Sequence, residues 1–436
     1  MEWYWLLLLI IGGLLLLMST GMPVAFCFML INAVGVFIFF GGGSGLRHLA
    51  VSITTSLSTF TLLPLPLFVL MGEVIYHSGL APYMIDALDK WIGRLNGRLG
   101  LLAVGGGTVF ATLTGVSMAS VAMLGSTLVP EMEKRGYKKS MSLGPILGSS
   151  GLAIMIPPSN LAVLLGAIGE ISIGGILIAI ILPGLLMAIL YATYIIVRCK
   201  LQPSIAPRYD LPAVPLGEKL VAIVHYILPV AFIIFMVIGV IFLGIATPTE
   251  AAATGALGTF LMAAAYRRLN WTMVKKALTG TVKVAGMMFL ILAGAVAFSK
   301  ILAFTGAGHE LTEFTIGLPI APIFTIAAII SVALLLGMIM SPVPIMMICL
   351  PIFVPVVEAL GFEPVWFAVI FLLAIEMGTT SPPYGMCLFV MKGVATPDTK
   401  IGDCYRAALP FLGCDLITII LLIAFPVIAL WLPGMM

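Results

Sequence analysis

Fourteen apolar stretches, at 5–20, 22–41, 51–76, 99–116, 118–130, 140–166, 174–197, 220–244, 249–266, 277–304, 319–340, 343–358, 364–391 and 407–432, dominate the chain. They are continuous, without the two-residue alternation of barrel strands. In hydrocarbon every backbone N–H and C=O must be bonded within the protein, so runs of this kind cross a bilayer as α-helices. Composition agrees: 9% of residues are charged, against about 25% in a soluble domain. The start, MEWYWLLLL, has no basic region and no small-residue cleavage pattern. It reads as a first spanning helix, with Trp3, Tyr4 and Trp5 in an interfacial aromatic belt.

Several of these stretches are interrupted. GLAIMIPPSNL, at 151–161, places Pro157 beside Pro158 inside an apolar run. Each proline lacks an N–H and disfavours helical geometry in the residue before it. Pro382-Pro383 repeats the interruption 225 residues on, and Pro23/Pro248, Val129-Pro130/Val354-Pro355 and Gly136/Gly361 share that offset. The segment 118–130 is too short to span and follows 99–116 after a break at 114–117, which predicts a re-entrant hairpin. Segments 319–340 and 343–358, parted at Ser341-Pro342-Val343-Pro344, predict a second. Each half is thus a hairpin, a helix broken at Pro-Pro, and a closing helix.

The loop after the first hairpin carries Lys134, Arg135, Lys138 and Lys139; its counterpart carries Glu358 and Glu363 and no base. Since Lys and Arg favour the cytoplasmic side, the two copies are expected to be inverted. With the N-terminus outside, 18 of the 21 basic residues fall inside and the C-terminus ends outside. Residues 81–98 and 201–220 read as interfacial arms, with 305–318 mirroring the first.

Inverted copies with broken helices are the signature of secondary transporters. A mid-membrane break offers bare carbonyls to a cation and free N–H groups to a carboxylate. Thr114, Gly115, Ser117 and Ser120 lie at the first tip, and Ser149, Ser150, Ser159 and Asn160 at the first break. Ser341 stands at the second tip, with Thr379, Thr380 and Ser381 at the second break. Neutral oxygens of this kind suit Na⁺, with an anion between the two sites. Few acids fall inside apolar runs. Each is a functional candidate: Glu250, after Thr247-Pro248-Thr249, is equally placed to cap a helix; Glu73 is spaced to meet His77; Asp415 is placed to pack on a neighbouring helix; Glu376, ahead of the second break, is placed to serve the second cation site or to carry a proton.

Other function classes find no support. The six cysteines are scattered, the four histidines (48, 77, 225 and 309) are far apart, and no phosphate-binding loop is present. No catalytic set appears at workable spacing, so an enzyme is not expected, nor an organic cofactor, a metal other than Na⁺, or a nucleic-acid partner.

The motifs TGVSMASVAMLGSTLVPEMEKRGY, SSGLAIMIPPSN, SIGGILIAIILPGLL, GIATPTEAAATGA and TSPPYGMCLFVMKGVA resemble the large membrane subunit of tripartite ATP-independent periplasmic (TRAP) transporters along nearly the whole chain. The resemblance implies an all-α, polytopic, inverted-repeat elevator fold with two re-entrant hairpins and two broken helices. It assigns 1–98 and 201–318 to a scaffold with arm helices, and 99–200 and 319–436 to the two repeats of a transport domain. It implies Na⁺-coupled uptake of a small organic acid across the bacterial inner membrane. A periplasmic binding protein would deliver the substrate, and a separate four-helix membrane subunit would brace the scaffold. The cation ligands are then expected among Ser117, Ser120, Ser150, Gly151, Pro157, Ser341, Glu376, Thr379, Thr380 and Ser381. The substrate is expected near Thr114, Gly115, Ser159, Asn160, Pro382, Tyr384 and Gly385. In GMIMSPVP, Ser341 stands where the family pattern has an aspartate, and Glu376 is the candidate to supply that charge to the second site. The rival readings are a symporter of the same fold that needs no binding protein, and an ion channel.

Overall fold

A computed structural model of the protein describes residues 3–39, 41–92, 97–114, 117–207 and 215–436, with their side chains except at 3, 81 and 110–114. Every regular element among them is a helix. The chain opens with α1 (Trp3–Ser19), α2 (Val24–Phe39), α3 (Gly43–Leu57), α4 (Pro64–Ser78) and α5 (Ala81–Ile92). Next come α6 (Arg98–Thr114), α7 (Ser117–Lys134), α8 (Lys139–Ser149), α9 (Leu152–Met155), α10 (Asn160–Gly169), α11 (Ile173–Ala179) and α12 (Ile181–Leu201). The second half runs through α13 (Leu216–Ala222), α14 (Leu228–Phe242), α15 (Pro248–Ala265), α16 (Trp271–Thr305) and α17 (Ala307–Ile316). It ends with α18 (Pro322–Gly337), α19 (Pro342–Ala359), α20 (Pro364–Thr380), α21 (Met386–Val394), α22 (Ile401–Ala424) and α23 (Val427–Leu430). Six of these runs are long and apolar enough to cross a membrane, or seven if Lys139–Met155 and Asn160–Gly169, bent by 48°, count as one.

The 225-residue offset recurs in the helix boundaries. α1 and α14 start 225 residues apart; so do α7 and α19, and α8 and α20. α7 and α19, α9 and α20, and α10 and α21 end at the same offset. Gly136 and Gly361, with φ of +81° and +78°, make the matching turns after α7 and α19 in a left-handed conformation that side chains resist. The halves part where α16 runs unbroken over the positions that α3 and α4 occupy in two pieces; Pro64 starts α4 at its first residue.

Both Pro-Pro sites interrupt their helices, and both peptide bonds are cis. Pro157 and Pro158 have no N–H for the carbonyls of Ala153 and Ile154. Ser159 then caps α10, its hydroxyl accepting from Ala162 N at 3.3 Å. After the second break Gly385 opens α21, its N–H donating to Ser381 O at 3.0 Å. A Cβ there would stand 2.6 Å from Thr379 O and 2.7 Å from Ser381 O, so only glycine fits. The broken helices are the most enclosed in the protein: every residue from Trp366 to Thr380 and from Met141 to Met155 is buried. The periphery is apolar and exposed, as lipid-facing helices are, with Leu8, Leu16 and Ile38 on α1 and α2 and Phe232 and Phe235 on α14.

Gly385→Ala is expected to lower stability by about 1–3 kcal/mol through overpacking against backbone that cannot yield. Gly413→Ala, with nothing within 4 Å of the added methyl, is expected to leave it unchanged or raised by roughly 0.5–1 kcal/mol. Thermal unfolding of the two variants in detergent checks the contrast.

Candidate functional site

The hydroxyl-bearing residues predicted at the tips and breaks divide into a buried set and a peripheral one. Ser117 and Ser120, a turn apart on one face of α7, are buried, as are Ser149, Ser150, Thr379, Thr380 and Ser381. Ser149 donates to Ile146 O at 3.0 Å and Ser150 to Leu147 O at 2.6 Å. Thr379 donates to Glu376 O at 2.8 Å, Thr380 to Met377 O at 3.1 Å and Ser381 to Met377 O at 2.7 Å. A hydroxyl has one proton and two lone pairs. With the proton committed to its own helix, each of these five can only accept, which suits a cation or an N–H donor. The same back-bonding occurs on exposed helices, as at Thr54 and Thr279, so the distinguishing property is burial in a group.

The remaining predicted residues are placed as follows. Gly151 precedes α9, where a Cβ would lie 3.4 Å from Gly148 O and 3.6 Å from the Tyr191 hydroxyl. Pro157, Ser159, Asn160 and Gly385 are buried. Ser341 precedes α19, half-buried, and its side chain does not cap the helix. Pro382 is half-buried, and Tyr384, at 62% exposed, stands apart from the buried group. Gly115 lies outside the described residues, as does the side chain of Thr114.

Three groups join the site by contacts that span the sequence. Glu376, on α20, is 2% exposed, and the Ser117 hydroxyl of the first hairpin lies within reach of its carboxyl, short of a regular hydrogen bond. Cys387, on α21, touches Thr379 Oγ1 at 3.6 Å and has Ser150 close by. Asp415, on α22, accepts a hydrogen bond from the buried hydroxyl of Tyr191 on α12. Tyr191 and Cys387 carry no sequence signal; one is an aromatic and the other a small apolar residue among many such in the chain. The sequence suggested Glu376 for the second site; the hydroxyls near its carboxyl are those of Ser117, from the first tip, and Thr379, from the second break.

The other acids serve the frame. Glu250 closes a capping box: its Oε2 accepts from Thr247 N at 2.8 Å while its own N–H donates to Thr247 Oγ1 at 3.4 Å. Glu73 pairs with His77 at 3.2 Å, in a space left by Gly280. All six cysteines are free and buried, and no group of three metal-ligating side chains occurs among the described residues.

At the end of α7 a polar knot ties the halves together. Lys139 Nζ lies 2.8 Å from Glu133 Oε1 and 2.9 Å from Asp398 Oδ2, and donates to Thr396 Oγ1 at 2.8 Å and Thr399 Oγ1 at 2.7 Å. Thr396 in turn donates to Glu133 Oε2 at 2.7 Å. The Lys139 ammonium beside Asp398 holds that carboxyl below its ordinary range.

Comparison with known proteins places this architecture. The sequence profile of the family described as "Tripartite ATP-independent periplasmic transporter, DctM component" matches residues 11–428. A "C4-dicarboxylate TRAP transporter large permease protein" of Pseudomonas aeruginosa is 32% identical over 89% of this chain and 90% of its own. An "Ectoine TRAP transporter large permease protein" of Halomonas elongata is 29% identical over 96% of each. In structure the chain is similar to the YdaH transporter of Alcanivorax borkumensis, with a TM-score of 0.65 over 88% of this chain and 89% of that one, at 15% identity.

Lys139→Met removes the cation that Glu133, Thr396 and Thr399 share. The expected loss is about 1–3 kcal/mol, because the enclosed Glu133 carboxylate is left without its partner. Asp398→Asn, at the exposed rim, is expected to change little at neutral pH. Because the Asp398 carboxyl is held low, its contribution is present above its ordinary range and is lost as pH falls through the depressed value. Thermal midpoints of the parent and both variants, recorded from neutral to acid pH, read these effects.

Proposed function

Since the chain belongs to the DctM component family of tripartite ATP-independent periplasmic transporters, as a large permease subunit, we propose that it imports a small organic acid in symport with Na⁺ by an elevator movement. It is a multi-pass membrane protein, and its relatives are permeases rather than enzymes. In this reading α6–α12 and α18–α23 move as the transport domain, with α6–α7 and α18–α19 as re-entrant hairpins. The remaining helices and arms form the scaffold. A periplasmic binding protein hands over the substrate, and a separate small membrane subunit holds the scaffold. Both termini face the periplasm, which keeps 18 of the 21 basic residues on the cytoplasmic side.

The observation that carries the reading is the pair of helix breaks, matched 225 residues apart and enclosed among buried hydroxyls whose protons are already committed. Exposed carbonyls and lone pairs at those breaks favour Na⁺. The helix start at Asn160, capped by Ser159, offers N–H groups to a carboxylate between the sites. The relatives' names span a C4-dicarboxylate and ectoine. That spread fits a permease that leaves much of the selection to the binding protein.

Proteoliposomes holding the permease, its small subunit and an inward Na⁺ gradient test the proposal. Uptake of labelled C4-dicarboxylate or ectoine is expected only with the cognate binding protein outside, and is expected to collapse when K⁺ replaces Na⁺. Equal uptake without the binding protein turns the assignment to a self-sufficient symporter. A large single-channel conductance turns it to a channel.

A further inference from the structure

The turn from α15 to α16 and the first turns of α16 form a surface of one sign. Arg267, Arg268, Lys275, Lys276 and Lys283 are all exposed there, and no Asp or Glu occurs between Glu250 and Glu310. Bases on α5 and around α7 and α8 are paired: Lys90 with Asp86, Arg98 with Asp89, Arg135 with Glu131, and Lys139 with Glu133 and Asp398. None of the five has an ion pair among the described residues. Glu73, the acid that packs against α16 at Gly280, is already paired with His77 at 3.2 Å. Arg268 is held by Tyr83, donating to its hydroxyl at 2.9 Å and standing 5.5 Å from the ring centre. Arg267 and the three lysines are left without a partner of opposite charge.

The dimensions of α16 set the depth of this surface. Its 35 residues measure about 52 Å at 1.5 Å per residue, well beyond a hydrocarbon core of about 30 Å. Lys283 and Lys300, both exposed, stand about 26 Å apart along the axis with no charge between them. They bracket the apolar slab, so Lys283 meets the headgroups and the turns before it lead towards water. Lys275 and Lys276 lie roughly 11 Å further out, where long side chains can reach back to the headgroup layer. On the apolar side of Lys283, Val282 and Met287 are 71% and 52% exposed, a surface for acyl chains.

The frame shared by the two repeats does not require these charges. At the 225-residue offset Arg267 corresponds to Gly42, Arg268 to Gly43, Lys275 to Ala50, Lys276 to Val51 and Lys283 to Ser58. Gly42 and Arg267 occupy matching turns, with φ of +71° and +55°. The first copy places there the residue that suits left-handed backbone, and the second an arginine that resists it. The bases are therefore an addition to one copy.

We propose that this face binds anionic phospholipid of the cytoplasmic leaflet, with Arg267, Lys275, Lys276 and Lys283 holding phosphates and Val282 and Met287 against the acyl chains. This rests on the orientation proposed above, which puts the α15–α16 turn inside. Charge complementarity selects the occupant: four unpaired cations beside a negatively charged membrane surface, with no acid competing for them. α16 packs against α2, α3 and α4, so lipid held along it fixes the height of the scaffold against which the transport domain moves.

Full-length permease in neutral detergent, titrated with phosphatidylglycerol or phosphatidylcholine in mixed micelles, tests the assignment. Phosphatidylglycerol is expected to raise the thermal midpoint more than phosphatidylcholine does, and the difference to shrink as salt is raised. The combined Lys275→Gln, Lys276→Gln and Lys283→Gln variant is expected to need at least ~10-fold more phosphatidylglycerol for the same shift. Lys134→Gln, Lys138→Gln and Lys200→Gln together remove equal charge from exposed lysines elsewhere and are expected to leave the parental response. A parent indifferent to phosphatidylglycerol, a parental response in the first variant, or equal losses in both variants overturns the proposal. If the first variant does not fold, Lys283→Gln against Lys138→Gln decides by the same readout. An equal shift with inorganic phosphate overturns it in favour of a soluble anion, and loss of the lipid response on binding the small subunit overturns it in favour of a protein interface. Thr272→Cys is expected to react with an impermeant maleimide in inside-out vesicles and not in intact cells. Labelling in intact cells overturns the orientation and this site together, whereas a failed titration with the expected labelling overturns the lipid site alone.

Discussion

Enclosure of two broken backbones is the constraint on which the rest of the architecture depends. Prolines at 157, 158, 382 and 383 withhold four N–H groups from the helices that precede them. In contact with lipid each orphaned carbonyl would cost several kcal/mol. The fold answers by burying α8–α9 from Met141 and α20 from Trp366 onward, and by wrapping them in the hairpins and closing helices. Small residues make the wrapping close. Gly184 of α12 rests against the carbonyl of Met155, and Gly378 of α20 stands so near Gly337 of α18 that a Cβ would lie 2.5 Å from the latter's Cα. Backbone interruptions that hydrocarbon forbids thus become an interior polar feature, available for a ligand.

The two halves share a frame but not a chemistry. Boundaries and turns repeat with an offset of 225, yet Lys139 corresponds to Pro364 and Glu376 to Gly151. The Lys139 knot therefore fastens the halves at one end of the assembly, and the Asp415–Tyr191 pair joins the closing helices deeper in. Lys139 finds its partners Thr396, Asp398 and Thr399 in the other copy, whereas the Glu376 carboxyl has no hydrogen-bond partner among the described residues. What the repeat preserves is whatever backbone geometry demands: the cis Pro-Pro breaks and the left-handed glycines after α7 and α19.

Much of this was legible in advance because it depends on local spacing. The Pro-Pro breaks, the turns at Gly136 and Gly361, the Thr247–Glu250 capping box and the Glu73–His77 pair are all fixed within a few residues of chain. The hydroxyl clusters at 149–150 and 379–381 were legible too, since small polar residues stand out in apolar helices. Less accessible was which cluster faces which acid. Glu376 meets Ser117, and Lys139 meets Thr396, Asp398 and Thr399, across more than half the chain. Periodicity carries no information about such encounters.

The sequence alone therefore determined where the helices break, that the breaks come in pairs, and that a membrane encloses them, because apolar runs and proline act on the nearest backbone. Tertiary structure alone decided that Glu376 of one copy lies beside Ser117 of the other. That pairing is set by how two buried helices cross, and the crossing is governed by packing between surfaces far apart in the chain.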